Sequence, residues 1–147
     1  MKNKILLAGL FCCSLISTEA QVLLDKNAGK NSFPIVSPSA NVVVCFDGKD
    51  ETVVRKSVSL FTDDVRRVTG QDLKAQASNP GEVSARYAII VGTAGKSAWI
   101  DALTAKKKID ITPIAGGWER YMIETVDNPA PGIKKAIVVV GSDRRGT

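Results

Sequence analysis

The sequence predicts one small α/β domain, a mixed β-sheet with helices packed on it. Three short runs of mostly apolar residues, at 41–46, 87–91 and 136–140, are typical of strands buried on both faces. Residues 51–69 carry apolar side chains at helical spacing, and residues 118–126 mix apolar and polar positions with many β-formers and no helical period. Because helical and strand patterns alternate along the chain, we expect the helices to cover one sheet.

The first helix is predicted over residues 51–69. Its apolar side chains recur at intervals of four, three, four and three, which places them on one face. Gly70 follows at the position where a helix commonly ends on a left-handed residue. The residues of the apolar face are Val54, Val58, Phe61, Val65 and Val68.

A second helix is predicted from Ser97 to about Ala105, with Ser97 as its N-cap residue. Its apolar stripe consists of Trp99, Ile100 and Leu103. Two shorter strands are predicted at 33–36 and 72–75.

The last two strands are predicted to form an antiparallel hairpin. Residues 127–132, with the sequence DNPAPG, have the composition of a turn and connect the half-buried strand 118–126 to the apolar strand 136–140. An antiparallel pair beside parallel strands makes the sheet mixed.

Residues 1–20 have the features of a secretory signal peptide: two lysines, a mainly apolar run and then small residues. Cleavage after Ala20 leaves residues 21–32 as a flexible mature N-terminus and residues 33–147 as the α/β domain. The apolar run is too short for a stable anchor, and no later segment has the roughly 20 apolar residues of a transmembrane helix. The sequence therefore predicts export, to the periplasm or outside the cell.

The residue inventory excludes several kinds of chemistry. The 147 residues include no histidine, so a Ser-His-Asp triad, a Cys-His nucleophile and a histidine-based zinc site are ruled out. Cys45 is the one cysteine left after cleavage, and we expect it to be buried as a small apolar residue. We predict no cofactor and no metal. The net charge of +5, without a broad basic patch carrying aromatic residues, predicts no nucleic-acid partner.

The stretch AIIVGTAGKS, residues 88–97, ends like a phosphate-binding loop. That loop requires a glycine, four residues and then Gly-Lys-Ser or Gly-Lys-Thr, and here Ile90 stands at the position of the first glycine. We therefore expect a tight turn from strand to helix, with a nucleotide site as the alternative.

Three segments resemble the N-terminal domain of glycoside hydrolase family 115, the xylan α-1,2-glucuronidases. They are FTDDVRRVTGQ at 61–71, VGTAGKSAWID at 91–101, and IAGGWERYMIETVDNPAPGIKKAIVVVGSDRRGT at 114–147. The resemblance implies a small mixed α/β layer of the kind that precedes the barrel of several exo-acting glycosidases. It also implies that the parent enzyme removes (4-O-methyl-)glucuronic acid from xylan by an inverting route.

The catalytic residues of that family lie mainly on its (β/α)₈ barrel, so the resemblance assigns no catalytic residue to this chain. It implies that the partner of the domain is the missing barrel and that the domain is incomplete at its C-terminal end. Asp143, Arg144 and Arg145 are then candidates for an interdomain contact, as caps of a following helix or as partners of the barrel. Two alternatives are solvated arginines and an arginine that binds a uronate carboxylate.

A free-standing secreted module that binds acidic polysaccharide is the alternative function. It would use Trp99, Trp118 and the two arginines. Because Trp99 falls on a helical apolar stripe and Trp118 opens a strand, we expect both tryptophans to lie in the core or at an interface.

Overall fold

The computed structural model describes residues 32–37 and 40–147, which form a five-stranded sheet with two α-helices. The predicted signal peptide and residues 21–31 lie outside the described residues. The predicted α/β class with a mixed sheet is confirmed. In chain order the elements are β1 (Val42–Phe46), α1 (Thr52–Thr69), β2 (Lys74–Ala77), β3 (Ala85–Thr93), α2 (Ala98–Ala105), β4 (Tyr121–Ala130) and β5 (Ile133–Gly141).

The strands lie side by side in the order β2-β1-β3-β5-β4. β1 pairs in parallel with β2 and with β3, β3 pairs in parallel with β5, and β4 is antiparallel to β5. The predicted hairpin is therefore confirmed. Because four strands are parallel, their last residues all reach the same end of the sheet, which we call the carboxyl end. β4 begins at that end.

The two helices cover opposite faces of the sheet, since successive side chains of a strand point to opposite sides. On the α2 face the buried side chains include Val43, Cys45, Ile90, Val138, Trp99, Ile100 and Leu103. On the α1 face they are Val42, Val44, Phe46, Val54, Val58 and Ile89. The predicted burial of Cys45 and of the α2 stripe is confirmed.

Helix α1 ends as predicted but buries only two of the five residues of its predicted apolar face. Gly70 has a φ of 70°, and its N–H donates to the carbonyl oxygen of Arg66 at 2.8 Å. Val54 and Val58 are buried, whereas Phe61 is 38% exposed and Val68 is 85% exposed. Within the described residues, neither helix has the length and apolar character needed to cross a membrane.

The predicted strand at 33–36 is wrong. This segment has no strand structure and instead packs against the α1 face, where the ring of Phe33 meets the ring of Tyr87 edge-on at 5.5 Å. Pro34 lacks a backbone N–H, which makes ladder pairing less favourable. β2 also begins two residues later than predicted, at Lys74.

The predicted turn at 127–132 is mostly strand. β4 begins at Tyr121 and continues to Ala130, so only Pro131 and Gly132 separate it from β5. The pairing register shifts between Asp127 and Ala130, where Asn128 has a φ of 49°. Because β4 is an edge strand, Pro129 needs no donor toward an outer neighbour.

Candidate functional site

Four loop segments meet at the carboxyl end of the sheet. Residues 47–51 follow β1, residues 94–97 follow β3, residues 142–147 follow β5, and residues 118–120 precede β4. In open α/β sheets, ligands bind at this end of the strands. It is therefore the first place to look for a functional site.

Asp47 and Asp50 hold the loops after β1 and β3 together. One carboxylate oxygen of Asp47 accepts the N–H of Ala98, the first residue of α2, at 2.8 Å, and the other accepts the N–H of Lys49. Asp50 accepts the N–H of Thr93 at 2.8 Å. Sequence analysis missed both carboxylates, although the position of Asp47 directly after a buried parallel strand was a signal for such a role.

Ser97 occupies the N-cap position of α2, but its hydroxyl makes no capping hydrogen bond, so the predicted side-chain cap is wrong. Asp47 takes over that role from another strand. The Ser97 side chain is fully buried against Gly92 instead, and its hydroxyl has no hydrogen-bond partner among the described residues. A side chain at position 92 would occupy the space that Ser97 and Ile100 fill.

The loop after β3 is a tight turn, as expected, and not a phosphate cradle. The N–H groups of Lys96 and Ser97 both donate to the carbonyl oxygen of Thr93, at 3.1 and 3.0 Å. Ala94 donates to the carbonyl oxygen of Gly141 at 2.9 Å. Since the acceptors for these backbone donors are internal, they are not free to surround a phosphate.

Asp143 organises the loop after β5. One of its carboxylate oxygens accepts the N–H groups of Arg145 and Gly146, at 2.9 and 2.8 Å, and the other accepts the N–H of Glu119 at 2.9 Å. These hydrogen bonds, first that from Glu119 and next that from Gly146, lower the pKa of Asp143 below its ordinary value. Asp143 thus joins the loop after β5 to the segment before β4.

The two predicted arginines differ in their surroundings. Arg145 pairs through Nε with a carboxylate oxygen of Glu119 at 2.8 Å, in a pair that is largely exposed. Arg144 is exposed, and no carboxylate in residues 32–37 and 40–147 lies within ion-pair distance of it. Arg144 is therefore the one of the two that can reach another molecule or domain without first breaking an ion pair seen here.

A cleft of about 360 Å³ lies between the loops after β3 and β5. Lys96 and Arg144 bring positive charge to it, and Trp118 lines it with 76% of its surface exposed. As expected, Trp99 lies in the core, where its indole N–H donates to the carbonyl oxygen of Ser78 at 2.7 Å. Trp118 does not lie in the core of the described residues, so a place at an interface stays a prediction for it. Glu51 and Asp143 also line the cleft, so its charge is mixed, with three cationic and two anionic side chains. The exposed indole and the arginine without an ion pair among the described residues are the groups in it that can contact an acidic sugar or an acidic protein surface.

The adjacent carboxylates of α1 do not form a converging pair, and the described residues hold no cluster of metal ligands. Asp63 and Asp64, the adjacent carboxylates of α1, each pair with an arginine three residues later, Arg66 and Arg67, on the exposed side of the helix. Among residues 32–37 and 40–147, no three His, Cys, Asp or Glu side chains converge as metal ligands would. The carboxylates of Asp47 and Asp50 are already engaged by backbone N–H groups.

The fold belongs to a class of small mixed α/β domains that also occurs in glycosidases. No family model and no curated protein matches the sequence. Among solved structures, the fold is similar to part of a family GH115 4-O-methyl-α-glucuronidase with specificity for decorated arabinogalactans. The match has a TM-score of 0.51 and 27% sequence identity and covers 74% of this chain. This chain spans 12% of that enzyme. The similarity in fold shows that this chain contains a glycosidase-related domain with a GH115-like fold.

Proposed function

We propose that this chain is the noncatalytic N-terminal domain of an exported glycosidase that removes (4-O-methyl-)glucuronic acid from a polysaccharide. The observation that carries the proposal is the similarity of the fold to part of a GH115 glucuronidase, and the resemblance of the sequence supports it. The quoted segments at 61–71, 91–101 and 114–147 resemble family 115, and the fold resembles part of a GH115 glucuronidase. The signal peptide predicted at 1–20 supports export.

In this proposal the chemistry occurs on another domain, a catalytic barrel. A glycosidase needs two carboxyl groups facing each other across the scissile bond, roughly 5–10 Å apart. Three carboxylates at the carboxyl end of the sheet, those of Asp47, Asp50 and Asp143, accept hydrogen bonds from backbone N–H groups of the loops instead. We assign to Asp143, Arg144 and Arg145 the contact with the neighbouring domain, with Arg144 as the residue that reaches across.

Xylan and decorated arabinogalactan are both candidate polysaccharides. Xylan follows from the family that the sequence resembles, and decorated arabinogalactan is the specificity of the enzyme with the similar fold. In this proposal the domain does not determine which polysaccharide is bound, because the sugar subsites lie on the barrel.

Sequencing the genomic DNA downstream of the Thr147 codon tests the proposal. We expect an open frame that starts with a helical pattern and continues for several hundred codons with alternating strands and helices. A stop codon followed by no barrel-coding sequence would contradict the proposal and favour an independent module.

The exposure of Trp118 beside Lys96 and Arg144 favours one second candidate, a module that binds acidic polysaccharide. Affinity electrophoresis through gels containing glucuronoxylan tests it. A binding module would be retarded, and Trp118→Ala would abolish the retardation while Leu60→Ala, at another exposed apolar side chain, would not. Migration identical to that in a gel without polysaccharide would exclude this candidate.

A further inference from the structure

Helix α1 leaves part of its own face of the sheet uncovered. It packs on β1 and β3, where Ile89 is buried. Farther along the same face, Ile137 and Val139 of β5 are only half-buried, and Ile123 of β4 is 51% exposed. Together with Phe61 of α1 these side chains line an apolar groove of about 310 Å³, which we call the β5 groove.

Residues 143–147 form a turn with the hydrogen-bonding pattern found at the start of an α-helix. The N–H of Thr147 donates to the carbonyl oxygen of Asp143, four residues earlier, at 3.1 Å, which is the α-helical pattern. The Asp143 carboxylate accepts the N–H groups two and three residues later, as an N-cap residue does. Asp143 is thus placed as the N-cap residue of a helix that would start at Arg144.

This capped turn lies at the mouth of the β5 groove. Thr147 lines the groove together with Val91 and Val139. The Thr147 hydroxyl is also 3.0 Å from the hydroxyl of Thr93 at the end of β3, which fixes the turn against the sheet. A helix that continues from this point runs back along β5, on the face that α1 leaves open.

We propose that the β5 groove is the seat of an amphipathic α-helix that begins at Arg144 and continues beyond Thr147 in the intact protein. The helix is three to four turns long, and its apolar side chains, three and four residues apart, contact Ile123, Ile137 and Val139. An Asp side chain that accepts the N–H groups two and three residues later is typical of a helix start, which favours this occupant over a second copy of the chain. The inference rests on the part of the proposed function in which the chain continues beyond Thr147, and it does not depend on the enzyme's substrate.

The test extends the chain after Thr147 by about 14 residues designed as an amphipathic helix with leucines at helical spacing. A matched control carries the same residues in an order without helical period. We expect the designed extension to raise the midpoint of thermal unfolding by about 5 °C or more and to lower the fluorescence of a bound hydrophobic dye. The control extension changes neither.

Two variants locate the contact. Ile123→Lys alters a half-exposed groove residue, so the unextended chain keeps its midpoint, but the gain from the designed extension is lost. Leu60→Lys, at a residue of α1 that is 65% exposed outside the groove, leaves the gain intact.

Several results would overturn the proposal. One is an extension that is helical but does not raise the midpoint of thermal unfolding. Another is a rise in the midpoint that is unchanged in the Ile123→Lys variant. A dimer of the unextended chain that Ile123→Lys dissociates would assign the groove to a second copy. An increase in dye fluorescence after deletion of residues 1–31 would assign it to the chain's own N-terminal segment. None of these outcomes bears on the glycosidase assignment.

Discussion

The contact between Gly92 and α2 gives the sharpest prediction about how this domain is built. A Cβ atom at position 92 would lie 2.5 Å from the hydroxyl oxygen of Ser97, 2.6 Å from its Cβ and 2.8 Å from Cγ1 of Ile100. Atoms do not approach this closely without displacement, and both neighbours are fully buried. Gly92→Ala therefore forces α2 away from β3.

Overpacking of this kind costs about 1–3 kcal/mol, and three simultaneous contacts favour the upper half of that range. For a domain of this size we expect the midpoint of thermal unfolding to fall by about 10 °C. The matched control is Gly48→Ala, because its Cβ would meet only Ala77, at an ordinary 3.6 Å. Urea unfolding of both variants, followed by circular dichroism, measures the difference in unfolding free energy.

A double variant tests the cause of the loss. Ser97→Gly removes two of the three close contacts, so the combination with Gly92→Ala should be more stable than the sum of the single effects by about 1 kcal/mol or more. The reasoning would be refuted by a Gly92→Ala protein whose unfolding free energy lies within about 0.5 kcal/mol of the parent, as surface changes usually do.

Three further predictions concern single side chains. Asp47→Ala leaves the N–H of Ala98 without its acceptor, so it should lower the unfolding free energy measured in urea by about 1–2 kcal/mol. The control Asp64→Ala, on the exposed side of α1, should change that free energy by less than about 0.5 kcal/mol. Burial raises the pKa of the Cys45 thiol to about 11, so its reaction with a thiol reagent at pH 8 should be slow in the folded protein and fast in urea; equal rates would contradict the burial. The lowered pKa of Asp143 predicts a contribution to stability that is present above about pH 4 and is lost as the pH falls through the pKa of the folded protein. Asp143→Asn should therefore reduce the fall of the urea unfolding midpoint at acid pH. The same fall in both proteins would contradict this contribution.

The parts of the fold that follow from local patterns were predictable. Helix α1 has an apolar spacing of four and three residues and a glycine after its end, and both features act within one element. The buried strands were recognisable because parallel strands covered on both faces need continuous apolar runs, as in Ala88, Ile89 and Ile90.

The errors arose where distant residues decide the local structure. Ser97 has the composition of a helix cap, but the N–H of Ala98 is satisfied by Asp47, which is 51 positions away in the sequence. The DNPAPG stretch has the composition of a turn, yet pairing with β5 extends the strand through Pro129, because an edge strand tolerates a residue without a donor.

The candidate site was predictable only in part. Asp143, Arg144 and Arg145 became candidates because the resemblance to family 115 implies a neighbouring barrel, and they do lie at the carboxyl end of the sheet. Lys96 and Trp118 could not be joined to them, because no local pattern shows that the loops after β3 and before β4 reach the same cleft. That proximity depends on β5 lying between β3 and β4.

An assay of uronic acid release tests the central claim most directly. The purified chain is incubated with glucuronoxylan and, separately, with decorated arabinogalactan, and free (4-O-methyl-)glucuronic acid is quantified by anion-exchange chromatography. If the chain is a noncatalytic domain, release equals that of the buffer control for both polysaccharides. Release that scales with protein concentration and co-elutes with the chain through a final size-exclusion step would contradict it.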